Sequence, residues 1–455
     1  MNDEEANAVT LPARDALDPA RLESIVQFVL DEARRLGADQ AEAGASHDIG
    51  LSATARLGDV ENLEYNNDRG LGITIYRNRR KGSVSTSDFN EPALREAVSK
   101  ACSFASHTAE DPFAGLADAG LMATDPPDLD LAHAWDLDSS EAIRLAVECE
   151  AAAREFDKRI SNSEGATVAT SIGARAYGNS HGFIGSFRKS SHSISCVVVG
   201  ETNGDMQRDY YYSAARDAAD LESVRFIGEE AARRTVARLG SRKIKTIKAP
   251  VLYVPELARG FIGHAIAAIS GGAQYRRSSF LLSAVGEQIF PAFLRIEERP
   301  HIRKGLASAP YDAEGVTTRD RDLVIDGILQ GYVLSAYSAR RLDLTTTGNA
   351  GGAHNLIVPG TAGGLQELAK TMKTGLLVNE LIGQGVNTVT GDYSRGAVGF
   401  WVENGEIAYP VHEVTIAGNL RDLYRRIVAV GNDQDLRGGI RCGSLLVDGM
   451  TIAGA

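Results

Sequence analysis

Aromatic residues make up only 6% of this 455-residue chain, and cysteine occurs four times, at Cys102, Cys149, Cys196 and Cys442. No two cysteines have CxxC spacing, which excludes a thioredoxin-like motif and a zinc ribbon. A chain this long does not need a disulfide framework, and buried reduced thiols are the expectation. No apolar run approaches the ~20 residues that a helix needs to cross a bilayer. The first 18 residues are polar and acidic, unlike a secretory signal. Positive charge is also in deficit: the net charge is −12. An acidic chain repels phosphate backbones, so nucleic acid is not expected as a partner, and without a spanning run neither is a membrane. The two densest basic runs, Arg77-Asn78-Arg79-Arg80-Lys81 and Arg242-Lys243-Ile244-Lys245, are short, and the first reads as a solvated hairpin turn. A GxxxxGK[ST] phosphate loop, a GxSxG elbow and a GxGxxG register are absent. The protein reads as soluble and cytoplasmic.

What is present is a globular composition, 43% hydrophobic and 24% charged, with 47 glycines, enough for two or three domains. Residues 1–17 read as a disordered leader. Asp18-Pro19 then caps a helix carrying Leu22, Ile25, Val26, Val29, Ala33 and Leu36, which Gly37 closes. Alternating segments at 41–46, 49–56, 60–65, 71–77 and 82–87 read as short antiparallel strands. Turns are expected at Asn66-Asn67-Asp68-Arg69-Gly70 and Arg79-Arg80-Lys81-Gly82. A helix with Leu94, Ala97, Val98, Ala101 and Phe104 on one face follows. An Ala/Asp/Pro/Gly-rich connection spans 108–137. The cap Asp138-Ser139-Ser140-Glu141 opens another helix, a second β-rich block covers 159–213, and a helix runs over 221–239. This order is that of two related halves, although no sequence repeat supports it.

Gly240–Lys248 is the expected domain boundary. Beyond it glycine becomes dense, and short strands with a helix over 365–373 fit a curled or barrel-like sheet. The fold class is therefore α+β. An amino-terminal mixed domain with antiparallel sheets (18–240) precedes a carboxy-terminal β-rich domain with flanking helices (241–455).

Three places could carry chemistry. The helix expected over 255–269 has one histidine, His264. The five residues before it, Arg259, Gly260, Phe261, Ile262 and Gly263, include neither a zinc ligand nor a general base. A peptidase helix needs paired imidazoles and a glutamate beside the metal-bound water. The bland alternative is a hydrogen-bonded helix histidine. Cys442 could ligate a metal or act as a nucleophile if a base lay nearby, or could simply be a thiol beside a turn glycine. The runs 377–387 and 391–396 mix polar groups with glycines. Asn379, Glu380, Asn387, Asp392, Ser394 and Arg395 could line a groove that pairs with an extended peptide, or could belong to two strands with tight turns.

Longer strings are more specific. Ser279-Phe280-Leu281, LLVNELIGQGVNTVTGDYSRG (376–396), GFWVENGEI (399–407), VTIAGNLRD (414–422), Val430-Gly431-Asn432-Asp433, Cys442-Gly443-Ser444 and Met450-Thr451-Ile452-Ala453-Gly454 resemble the TldD/PmbA metallopeptidase family, PmbA (TldE) branch. The resemblance covers essentially the whole chain and is strongest after residue 250. It implies an HExxxH helix and a late cysteine binding zinc in the TldD branch. Laid on this chain, the second His falls on His264 and the cysteine on Cys442. The first His falls on Arg259 and the Glu on Gly260. No cofactor is then expected in this chain, and zinc is expected in a TldD-type partner. The implied activity is cleavage of unfolded or extended peptides by a heteromeric complex, in peptide-antibiotic maturation or antitoxin turnover. A homodimer is also open. Two alternatives stand: a stand-alone metallopeptidase using His264, Cys442 and a further ligand, and a regulator of gyrase or another nucleic-acid enzyme.

Overall fold

The structure is a computed structural model and describes residues 17–454. The expected leader therefore lies outside the described residues, apart from Leu17. The chain forms two compact units. The first comprises the residues up to Gly200 with Arg208–Thr235 and Pro310–Thr317, and the second comprises Glu201–Gln207, Val236–Ala309 and Thr318–Ala455.

In the first unit, α1 (Pro19–Arg35) precedes β1 (Gln40–Arg56), β2 (Asp59–Arg77), β3 (Arg80–Thr86) and α2 (Glu91–His107). Then come α3 (Ser139–Phe156), β4 (Ile160–Asn179), β5 (Ile184–Thr202), β6 (Asp205–Ala215) and α4 (Val224–Ala237). Local chemistry starts the helices as expected. Asp18 accepts from Ala20 N with Pro19 in the first turn, and Asp138 accepts from Glu141 N. The strands form one six-stranded sheet in the order β3-β2-β1-β4-β5-β6. That order is symmetric about the antiparallel β1–β4 pair.

Two strand expectations need correction. The segments 41–46 and 49–56 are one strand, and 60–65 and 71–77 are another. The turn expected at Asn66–Gly70 is absent: Asn66 pairs with Gly50 and Gly70 with Ser46. His47 Nε2 bonds Asn67 Oδ1 at 2.8 Å. Cross-strand pairing outweighs local turn propensity here. The real reversal is Leu57-Gly58, both at positive φ, whose N–H groups donate to the Glu150 carboxylate at 2.7 and 2.8 Å. The second hairpin turns one residue early, at Asn78-Arg79, both left-handed.

Period-2 alternation decides which side of this sheet is covered. Ala43, Ala45 and Ile49 of β1 are buried with Leu71, Ile73 and Ile75 of β2 against Val26 and Val29 of α1 and Val98 and Ala101 of α2. Gly82 lets α2 close in: a Cβ there would sit 2.1 Å from Ala101 O.

The second unit begins with β7 (Ile247–Tyr253), α5 (Pro255–Ala268), α6 (Gly271–Tyr275), β8 (Ile296–Glu298), β9 (Arg321–Ile325), β10 (Ile328–Leu329) and α7 (Ala336–Arg341). It continues with β11 (Leu356–Ile357), α8 (Leu365–Met372), β12 (Gly375–Ile382), β13 (Asp392–Glu403), β14 (Glu406–Asn419) and α9 (Leu420–Arg425). It ends with β15 (Ile427–Val430), β16 (Ile440–Arg441) and β17 (Leu445–Ala453). Strands β14-β13-β12-β7-β17 close into a five-stranded barrel through β14–β17 pairing, with β15 attached to β17. This is the closed sheet expected from the glycine-dense half. A smaller sheet runs β10-β9-β8-β11-β16. The core joins barrel residues Val251, Tyr253, Val378, Ile416 and Val447 to Phe261, Ile262 and Ala265 of α5 and to Cys442.

Candidate functional site

Helix α5 starts with Pro255 in its first turn directly after β7 and buries Ala258, Phe261, Ile262, Ala265 and Ala268. This apolar face pins it to the barrel. Arg259 and His264 leave the helix about 140° apart, because five residues at 3.6 per turn do not close a second turn. They consequently meet different surroundings.

Arg259 Nη1 lies 3.2 Å from Asp435 Oδ2, a carboxylate only 2% exposed. Arg437 Nε donates to the other oxygen, Asp435 Oδ1, at 2.9 Å. Arg437 Nη2 donates to Glu256 Oε1 on the first turn of α5, also at 2.9 Å. Burial works against the Arg437 charge, but its hydrogen bond to Asp435 and the charges of Asp435 and Glu256 outweigh that and raise its pKa. Arg259 and Arg437 thus share one buried carboxylate, the usual condition for tolerating buried charge.

His264 is half-buried. Its ring makes an edge contact with Tyr393, centroids 6.1 Å apart. Burial, and then the Arg395 guanidinium, hold its pKa below the ordinary histidine value. Of the sequence candidates, the structure therefore brings His264 and Arg395 together.

Cys442 is fully buried. Burial, and then the Asp433 charge, push its thiol up to about 12. Its S–H donates to Gly443 O at 3.3 Å. Its carbonyl accepts from Asp435 N at 3.2 Å, which links the cysteine segment to the Arg259 cluster through the backbone. The two tail strings also pack on one another. Gly431 N donates to Ser444 O at 2.7 Å. Asp433 accepts from Ser444 N and Ser444 Oγ and from Leu365 N, where α8 begins. A side chain at Gly443 would meet Gly431 O at 2.0 Å, so glycine is required by close approach.

A structural zinc ion takes four N, S or O donors, and a catalytic one takes three with an open position. Among the described residues, no group of three or more His, Cys, Asp or Glu is placed to hold a metal. Arg259 is a cation paired with Asp435, His264 lies under the positive charge of Arg395, and Cys442 is fully buried. Gly260 has no base to offer, and its position is open: a Cβ there would meet nothing within 4 Å. Of these four positions, His264 and Cys442 carry side chains that can donate to a metal, and Arg259 and Gly260 do not.

The proposed groove residues lie on the β12–β13 hairpin and its turn. Asn379 sits at the bulge between Val378 and Glu380. Glu380 accepts from Arg238 Nη2 at 2.5 Å. Asn387 Oδ1 accepts from Val389 N and Thr390 N. Asp392 accepts from Thr390 Oγ1 at 2.6 Å and from Asn419 Nδ2 at 3.3 Å. Ser394 is exposed, and its N–H donates to Gly385 O at 2.7 Å. Arg395 Nε donates to Ile382 O at 3.4 Å. Asn387 and Asp392 shape the turn, and Glu380 anchors the hairpin to Arg238. Sequence reasoning missed Asp435, Arg437 and Glu256. No local pattern marks them, since Arg437 and Glu256 are 181 residues apart in the chain.

Comparison with known proteins adds to this geometry. Residues 246–454 match the PmbA/TldA metallopeptidase C-terminal domain, 132–239 the central domain, and 41–105 domain 1. The chain is 50% identical to the metalloprotease PmbA of Escherichia coli O157:H7 over 416 residues, covering 91% of this chain and 92% of that one. A crystal structure from Bacteroides thetaiotaomicron, of a protein described as a candidate modulator of DNA gyrase, superposes with a TM-score of 0.90 at 27% identity. It covers 95% of this chain and 99% of that chain. TldE from Thermococcus kodakarensis shares the fold, with a TM-score of 0.82 at 21% identity, over 94% of this chain and all of that one (100%).

Proposed function

The chain belongs to the PmbA/TldA metallopeptidase family, on its PmbA branch, and from that premise we propose that it is the PmbA/TldE-type subunit of a cytoplasmic heteromeric peptidase complex. In this reading a TldD-type partner carries zinc and cleaves unfolded or extended peptides. This chain supplies architecture and peptide-binding surface, and lacks a complete zinc site of its own.

One observation supports the reading above the others. Where the resemblance calls for the first imidazole, Arg259 forms an ion pair with buried Asp435 at 3.2 Å. A guanidinium cannot ligate a cation, and a missing general base removes a proton transfer typically worth about 10²–10⁴-fold in rate. Among the described residues no helix is long and apolar enough to cross a membrane.

The test is co-expression with a related chain from the same genome that carries an intact HExxxH. The two are expected to co-purify and to cleave an unfolded peptide together, with the present chain inactive alone. Stoichiometric zinc and peptide cleavage by this chain in the absence of a partner would overturn the proposal.

A further inference from the structure

Among the described residues, α1, α2 and α3 pack on one face of the six-stranded sheet and no α-helix packs on the other. On the open face lie the even-numbered residues of β1 and the odd-numbered residues of β4 and β5. Register places Asp48 opposite Gly173 and Gly173 opposite Lys189, with Ser46 opposite Arg175. The surrounding positions are mostly hydroxyl residues, including Ser171, Ser191 and Ser193. Ser191 is exposed, and Asp48, Arg175 and Lys189 are half-buried.

Charge on this face is unbalanced. Arg175 grips Asp48 with both guanidinium nitrogens, at 2.6 and 2.9 Å. The Asp48 carboxylate lies over Gly173, where a Cβ would come within 2.1 Å of its oxygen. Asp48 is thereby committed to Arg175. Lys189, on the other side of Gly173, makes no side-chain hydrogen bond or ion pair among the described residues. Burial lowers its pKa, the charges of Arg175 and Arg216 lower it further, and Asp48 only partly offsets them. A half-buried ammonium without an anion is costly to keep unless a ligand completes it.

We propose that Lys189, flanked by the Arg175–Asp48 pair, is a subsite that takes one carboxylate of an extended peptide lying across the open face of this sheet. The proposal rests on the reading of this chain as a peptide-handling subunit. The ligand class follows from the charges. One uncommitted cation beside a fixed carboxylate suits a monoanion. A di- or polyanion such as a phosphate chain would need more free cations, and Asp48 repels it more strongly than a monoanion in proportion to its charge. The hydroxyls around Lys189 supply donors and acceptors for a peptide backbone at little steric cost.

The experiment uses the purified full chain and three dye-labelled decapeptides of Ala, Gly, Ser and Thr. One carries a central Glu and an amidated terminus, one a central Gln and an amidated terminus, and one a central Gln and a free terminus. Fluorescence anisotropy reads binding. At least one carboxylate-bearing peptide is expected to bind about tenfold more tightly than the amidated Gln peptide, as befits a charge-assisted hydrogen bond. Which of the two does so identifies a side-chain or a terminal carboxylate. Lys189→Met is expected to abolish the preference with a melting temperature that is unchanged or raised, and Lys189→Arg to restore the preference. Equal binding of all three peptides, no binding of any, or a preference that survives Lys189→Met would overturn the subsite. Because the readout needs neither partner nor cleavage, its failure is distinguishable from failure of the complex to assemble.

Discussion

Arg259 and Asp435 form an ion pair at 3.2 Å, and the same carboxylate takes a second arginine, Arg437, at 2.9 Å. A position that the family resemblance assigns to a zinc ligand is here part of a charge cluster that fastens α5 to the segment before β16. Arg259→Met leaves Asp435 buried with one partner instead of two. The expected cost is about 1–3 kcal/mol of unfolding free energy, read by urea denaturation. A change within experimental error would show that the pair contributes nothing to the fold.

The same relationship predicts metal content. The purified chain is expected to carry far less than one zinc per molecule by elemental analysis. Arg259→His with Gly260→Glu places an imidazole and a carboxylate at those positions, and a Cβ at residue 260 meets nothing within 4 Å. A rise in bound zinc in that double variant, with none in the parent, is the expected result. Equal zinc in both would remove Arg259 from the explanation.

Cys442 has a definite pH signature. Its thiol is raised from 9.0 to about 12, mainly by burial. A raised thiol pKa means that the unfolded chain ionises first. The contribution to stability is therefore complete below about pH 9 and is lost as pH climbs toward 12. Alkylation of Cys442 at pH 8 is expected to be negligible in the folded protein and rapid in denaturant, followed by peptide mass mapping. Cys442→Ala is expected to leave partner assembly and complex activity nearly unchanged. A large activity loss in a folded variant would assign this thiol a role in chemistry.

His264 titrates below its ordinary value of 6.5 because of burial and of Arg395. The folded state therefore disfavours the imidazolium. Its contribution to stability is complete above about pH 6.5 and declines as pH falls through the lowered native value. Arg395→Gln removes one of the two causes and is expected to move the His264 midpoint upward in an NMR titration. An unmoved midpoint would leave burial as the whole cause.

Gly82 tests the packing of the first unit. A Cβ at this position would fall 2.1 Å from Ala101 O and 2.4 Å from Ala105 N of α2. Both contacts are to backbone, so a side-chain rotation cannot relieve them. Gly82→Ala is expected to destabilise by about 2 kcal/mol or more, measured by thermal or chemical unfolding. Tolerance of alanine would mean that α2 moves freely over β3.

What the sequence determined by itself is local or periodic. Asp18-Pro19 and Asp138 to Glu141 mark helix starts because a capping side chain reaches only two or three residues ahead. The apolar spacing of α1 names its buried face for the same reason, and that of α2 does so except at Phe104, which is exposed. The long strings after residue 376 were enough to point to the family. Tertiary structure decided the rest, because pairing energy is shared between residues distant in the chain. Asn66–Gly70 has the composition of a turn and is a strand, since β1 supplies a partner for every residue of it. Arg259 looks in sequence like a lost ligand. Its engagement with Asp435 appears only when the segment leading into β16 is folded against α5. The open sheet face with Lys189 is invisible along the chain, because Asp48, Gly173 and Lys189 come from three strands and become neighbours only through register.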